Sequence, residues 1–100
     1  MADFGAQIDA DVAGNKVVVY SKTYCPHCTA TKNLLNGKNA AFKLVELDTI
    51  PDGDKIQGKL AEKTGQRTVP SVWIGGQFVG GNSELQALSA SGELDGRLAA

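Results

Sequence analysis

Cysteine occurs twice in this chain, at positions 25 and 28, and the pair frames a proline and the only histidine in Cys25-Pro26-His27-Cys28. The apolar run Val17-Val18-Val19-Tyr20 comes shortly before it. A strand ending there and a helix beginning at Pro26 would put the first sulfur at a helix N-terminus. Backbone N–H groups are unpaired at that end and the helix dipole is positive, so a negatively charged sulfur is favoured. Cys25 then reads as a nucleophile. Cys28, about one helical turn further on and more sheltered, is placed to attack a mixed disulfide formed at Cys25. The pair reads as a redox dithiol.

Other uses of two cysteines fit less well. A structural disulfide across a helix start closes so small a ring that it removes little chain entropy, and disulfide scaffolds carry many more cysteines. A zinc site needs four ligands, whereas Cys25, His27 and Cys28 are three adjacent candidates with no second cluster, so no metal is expected. Buried, inert thiols are common in general, but Pro26 and the preceding strand supply the context of a redox motif.

The elements that must position these sulfurs follow from periodicity. Phe4, Ile8 and Val12 stripe one face of a short helix that Gly14-Asn15 closes. Lys16 to Tyr20 is short and β-branched, the pattern of a buried strand. From Pro26 the chain turns helical, with Leu34 and Leu35 facing the core and Gly37 ending the helix. Phe42 to Leu47 reads as a second strand, parallel to the first across a βαβ crossover. Asp48 to Asp54 reads as loop, and Ile56, Leu60 and Ala61 repeat at helical spacing before Gly65. Val69 to Ile74 and Gln77 to Val79 are strands joined by a Gly75-Gly76 hairpin turn. Ser83 with Gln86 three residues on is a capping-box pattern opening a helix through Leu85 and Leu88, and Leu94 and Leu98 suggest one more short turn or helix. The order predicts an α/β fold, a small four-stranded mixed sheet with helices on both faces.

With 100 residues, 42% hydrophobic and 21% charged, the chain suits a single domain over residues 1–100. A net charge of −1 and the absence of a long Lys/Arg run give no electrostatic case for nucleic acid or membrane partners. Met1-Ala2-Asp3-Phe4-Gly5 has no basic region followed by an apolar stretch, and no segment approaches membrane-spanning length. A cytoplasmic protein is expected, working as a monomer.

Four stretches taken together resemble the glutaredoxins of the thioredoxin-fold superfamily: Ser21 to Cys28, Gln57, Arg67-Thr68-Val69-Pro70, and Gly80-Gly81-Asn82-Ser83. The similarity runs over nearly the whole chain. It implies a thioredoxin fold and a glutathione-dependent thiol–disulfide oxidoreductase, with Cys25 as nucleophile and Cys28 as resolving thiol. It also implies glutathione as reductant, with glutathionylated or disulfide-containing proteins as partners and glutathione reductase acting through the glutathione pool.

The resemblance further implies a cis Val69–Pro70 peptide beside Cys25, turning the Val69 backbone toward substrate. Gly80-Gly81 followed by Asn82-Ser83 at a helix start suits an anion, because glycine lets the backbone approach closely and first-turn N–H groups point at the ligand. Glutathione carries a carboxylate at each end. The resemblance sets the γ-glutamyl end on Asn82 and Ser83, with Gly81 among the glutathione contacts, and has Lys22 and Gln57, with Arg67 nearby, face the glycyl end. Tyr24, His27, Thr68, Val69 and Pro70 complete the predicted contacts.

Two positions depart from the commonest family pattern. His27 stands where tyrosine is usual, and Ser83-Glu84 stands where an aspartate often follows the cap and meets the glutamyl ammonium. Two rivals share the superfamily. Thioredoxins usually carry Trp before the first cysteine and Gly-Pro between the pair, against Tyr24 and Pro-His here. Cluster-forming relatives, in which Cys25 and a glutathione thiol would hold an iron–sulfur centre, tend to have a smaller residue at Pro26.

Overall fold

A computed structural model describes residues 3–100; Met1 and Ala2, which open the segment read for targeting signals, lie outside the described residues. The first helix, α1 (Phe4–Gly14), starts where the Asp3 carboxylate accepts the Ala6 N–H at 2.9 Å, an N-cap that satisfies one of the unpaired donors of the first turn. Its predicted stripe holds: Ile8 and Val12 are buried and Phe4 is half-buried.

All five residues of β1 (Val17–Ser21) are buried, and their alternation divides the core. Val18 and Tyr20 face one side with Ile8, Val12, Leu47, Ile56 and Leu60. Val17 and Val19 face the other, with Leu35, Val72, Ile74, Leu85 and Leu94. Each such aliphatic side chain contributes roughly 1.5–3 kcal/mol by leaving water, so β1 is the element both layers rest on.

Four strands make one mixed sheet in the order β2-β1-β3-β4, with β2 (Lys43–Glu46) parallel to β1, and β3 (Ser71–Ile74) antiparallel both to β1 and to β4 (Gln77–Gly80). Helices α1 and α3 (Gly53–Thr64) cover one face, and α2 (Pro26–Gly37), α4 (Asn82–Ser91) and α5 (Glu93–Ala99) the other. Gly75 and Gly76 turn the β3–β4 hairpin at φ 61° and 79°, as their dipeptide predicts.

Several boundaries differ from the sequence reading, each for a local reason. β1 runs from Val17 through Ser21. The second strand stops at Glu46, because Leu47 turns inward and is 3% exposed while Leu47–Thr49 form a single 3-10 turn. The Thr49 hydroxyl donates to the Glu46 carbonyl at 2.8 Å and fixes that turn, so the stretch expected as loop is partly ordered. β3 begins at Ser71 rather than Val69: Pro70 has no N–H to give the ladder and the Val69–Pro70 peptide is cis. The residues after Gly92 form the full helix α5.

Candidate active site

The turn leaving β1 carries the two sulfurs. Cys25 is the N-cap of α2, and its Sγ accepts the Cys28 N–H at 3.2 Å, with Pro26 in the first turn where a missing N–H costs nothing. The Cys25 N–H donates to the Lys22 carbonyl at 3.2 Å, and its thiol lies 3.9 Å from the Val69 carbonyl oxygen. A backbone donor is thus aimed at the sulfur on which charge develops when the thiol ionises. Both cysteines are free, Cys25 half-buried and Cys28 fully buried. Burial first, then its contact with Cys25, pushes the Cys28 thiol above its ordinary range, against smaller opposing effects of the Lys22 backbone and Ser21. The first sulfur is accessible and the second is a buried thiol that stays protonated near neutral pH.

A groove of about 390 Å³ is lined by His27, two residues after Cys25, and by Val69, whose carbonyl oxygen lies 3.9 Å from the Cys25 sulfur. It is also lined by Gln66, Thr68 and Pro70 before β3, and by Gly81, Asn82, Ser83 and Glu84 at the start of α4. The chemistry available is thiol–disulfide exchange at Cys25 on a molecule lying in this groove.

The glutaredoxin family model matches residues 17–79. A glutaredoxin of Ricinus communis is 55% identical over 83 residues, covering 83% of this chain and 81% of that protein. Glutaredoxin-2 of Schizosaccharomyces pombe is 47% identical over 89 residues, covering 89% and 81%. Among solved structures, a buckwheat glutaredoxin–glutathione complex superposes with a TM-score of 0.94 at 40% identity, covering 96% of this chain and 87% of that one. The chain belongs to the glutaredoxin family. Its sheet and helices are the thioredoxin fold, and glutaredoxins are thiol–disulfide oxidoreductases.

The remaining predicted contacts lie on other elements. Tyr24 projects beside the nucleophile with 72% of its surface exposed, and Lys22 is half-buried on the same turn. Gln57 on α3 donates its amide to the Arg67 carbonyl at 2.9 Å. Arg67 lines a second groove of about 650 Å³ with Phe4 of α1 and Lys59 and Glu62 of α3. Lys22, Tyr24, Gln57 and Arg67 therefore stand outside the groove that holds Asn82 and Ser83. Among the described residues, no three or more His, Cys, Asp or Glu side chains are grouped to hold a metal ion.

The start of α4 departs from the sequence reading. Ser83 and Gln86 do not form a capping box; Gly81 is the N-cap, and the Glu84 carboxylate reaches back to accept its N–H at 2.7 Å. Ser83 lies inside the helix and donates its hydroxyl to Glu84 at 2.6 Å. The Ser83 hydroxyl first, and then the Gly81 N–H, hold the Glu84 carboxyl below the usual range. Gly80 makes room for this arrangement: at φ 133° a Cβ there would stand 2.7 Å from Glu84.

Sequence reasoning missed the residues that brace the groove. Gln66 donates to the Thr68 carbonyl at 3.0 Å and to the Pro70 carbonyl at 2.9 Å, shaping the wall on either side of the cis peptide. Thr31 on α2 is fully buried and donates its hydroxyl to Asn82 Oδ1 at 3.0 Å, tying the cysteine helix to α4. Asp48 accepts both the N–H and the hydroxyl of Thr23. A polar residue inside an apolar helical stripe was the one available signal for Thr31; Gln66 and Asp48 gave none.

Proposed function

We propose that this glutaredoxin reduces glutathione mixed disulfides of proteins, and protein disulfides, with glutathione as reductant. The observation that carries the reading is the placement of Cys25 Sγ as the cap of α2, half-exposed and 3.9 Å from the Val69 carbonyl of a groove that the N-terminus of α4 also lines. The superposed buckwheat glutaredoxin is a complex with glutathione, which supports glutathione as the molecule in that groove.

Cys25 thiolate attacks the glutathione sulfur of the mixed disulfide. A Cys25–glutathione bond forms, the target's sulfur leaves as a thiolate, and it takes a proton from water. A second glutathione thiolate attacks the bound glutathione sulfur, releasing oxidised glutathione and the Cys25 thiolate; glutathione reductase then restores the pool. With a protein disulfide, the first attack leaves Cys25 joined to the target. Cys28 loses its proton, attacks Cys25 Sγ and expels the target's sulfur, and two glutathiones reduce the resulting Cys25–Cys28 disulfide. Cys28 is buried and its thiol is held above its ordinary range, so deprotonation has to precede this attack.

In this reading Gly81, Asn82 and Ser83 bind the γ-glutamyl carboxylate through the first-turn N–H groups of α4. Lys22, with Gln57 and Arg67, receives the glycyl carboxylate, and Tyr24, His27, Thr68, Val69 and Pro70 line the tripeptide between them. A dithiol regenerated by glutathione suits the reducing cytoplasm, where we place it as a monomer. No described helix is long and apolar enough to cross a membrane. The test is deglutathionylation coupled to glutathione reductase, run beside the thioredoxin system. Turnover with glutathione that Cys25→Ser abolishes and Cys28→Ser retains is expected; equal loss in both variants overturns the monothiol route.

A further inference from the structure

The turn that presents the nucleophile is weakly packed. Between buried Ser21 and buried Cys28, residues 22 to 27 are exposed or half-exposed, Tyr24 with 72% of its surface open to solvent. Ser21 of the flanking strand and Thr29 of the flanking helix donate their hydroxyls to the Lys22 and Cys25 carbonyls, each at 3.3 Å; among the described residues, the one side chain from a distant part of the chain that hydrogen-bonds this stretch is Asp48. Its Oδ1 accepts the Thr23 N–H at 3.0 Å and its Oδ2 accepts the Thr23 hydroxyl.

Asp48, although exposed itself, is carried by a stiff support. Leu47 before it is 3% exposed in the core with Ile56 and Leu60 of α3. A Cβ at Gly53 would lie 1.8 Å from the Leu47 carbonyl oxygen, so the start of α3 is seated directly on this turn. The Thr49 hydroxyl closes it from the other side. The carboxylate is thus a fixed fork, and Thr23 is bound to it two residues ahead of Cys25, whose own N–H returns to Lys22.

We propose that Asp48 is a positioning residue, which holds the Lys22–Cys25 turn in the shape that sets Cys25 Sγ on the Cys28 N–H. The inference rests on the reading of Cys25 as nucleophile. It concerns this family's known reaction but assigns to the turn after β2 a role in it, 25 residues away from Thr23 along the chain.

The sign of the effect separates positioning from plain electrostatics. A carboxylate near a developing thiolate repels it, so removing the charge alone should speed the reaction of Cys25. Loss of the fork should slow it, because the turn relaxes and the sulfur leaves its N–H donor. Asp48→Ala removes both charge and acceptors; Asp48→Asn removes the charge and keeps an acceptor for the Thr23 N–H.

The experiment is alkylation of Cys25 by iodoacetamide from pH 5 to 9 in the reduced protein, with steady-state deglutathionylation and thermal unfolding on the same samples. Asp48→Ala should alkylate about three- to tenfold more slowly at pH 6, with kcat/KM falling in step, and Asp48→Asn should recover most of the loss. Thr23→Val, which keeps the backbone donor, should fall between the parent and Asp48→Ala. An Asp48→Ala profile that matches the parent, or alkylation that speeds up in both Asp48 variants, overturns the proposal. A fall in alkylation confined to temperatures where Asp48→Ala is unfolding also overturns it. If the parent itself fails to turn over with glutathione while the alkylation order holds, the proposed function fails and the positioning role stands.

Discussion

Thr31→Val isolates the tie between the two helices that frame the groove. Valine nearly matches threonine in shape, so the buried site on α2 stays filled and the change removes one donor. Asn82 Oδ1 loses the 3.0 Å bond from Thr31 and keeps the 3.2 Å bond from Gln86 Nε2, so it is not left unpaired. The loss is therefore the net worth of one hydrogen bond, about 1 kcal/mol, rather than the larger cost of an orphaned group. For a chain of this length that corresponds to a fall in Tm of about 4–8 °C by calorimetry. If the freed Asn82 also weakens glutathione binding by the full amount, KM for a glutathionylated substrate rises up to about fivefold, with kcat unchanged because Cys25 is untouched. Thr31→Ser keeps the hydroxyl and loses a methyl group, so it should lower Tm and leave KM where it was. A Thr31→Val protein with parental KM despite a lowered Tm would refute the link between this bond and the substrate site.

Gly53→Ala would raise helix propensity by about 1 kcal/mol at an open position, yet here the new Cβ meets the Leu47 carbonyl at 1.8 Å; net destabilisation of more than about 2 kcal/mol is expected from urea unfolding. Lys22→Gln and Arg67→Gln should each raise KM for the glutathionylated substrate while sparing kcat, and unchanged KM in both would remove them from the glycyl-carboxylate site. Stability should fall with alkali: the folded-state value of the Cys28 thiol lies above its ordinary 9.0, so its contribution is complete below pH 9 and is lost as pH rises through the raised value. Tyr20, raised by burial first and then by Asp11 and Asp9, acts in the same direction at still higher pH. Urea midpoints of reduced parent and Cys28→Ser across pH 8 to 11 check this, the substitution flattening the first part of the decline.

What could be read from the chain beforehand was what local patterning carries. The strand–Cys–Pro–helix junction, the stripe on α1, the Gly-Gly hairpin and the parallel β1–β2 pair all depend on residues close in sequence or on well-marked periodicity. The bonds that brace the site join distant residues: Thr23 to Asp48, Thr31 to Asn82, Gln57 to the Arg67 backbone. Each uses ordinary polar residue types whose partner depends on the packed fold. The start of α4 failed for another reason: Ser83 with Gln86 and Gly81 with Glu84 have the same spacing. The choice fell to the pair in which glycine offers its N–H and Gly80 leaves space for the returning carboxylate.

The division of the core by β1 sets a condition on when the chemistry exists at all. Val69, whose carbonyl faces Cys25, packs with the α1–α3 layer, and so does Leu47 beneath Asp48; Leu35 and Leu85 anchor α2 and α4 in the opposite layer. If either layer melts, the dithiol loses part of its setting and reverts to two ordinary thiols. A heat-damaged or nicked molecule therefore keeps its thiols but loses the helix cap and the groove that single out Cys25.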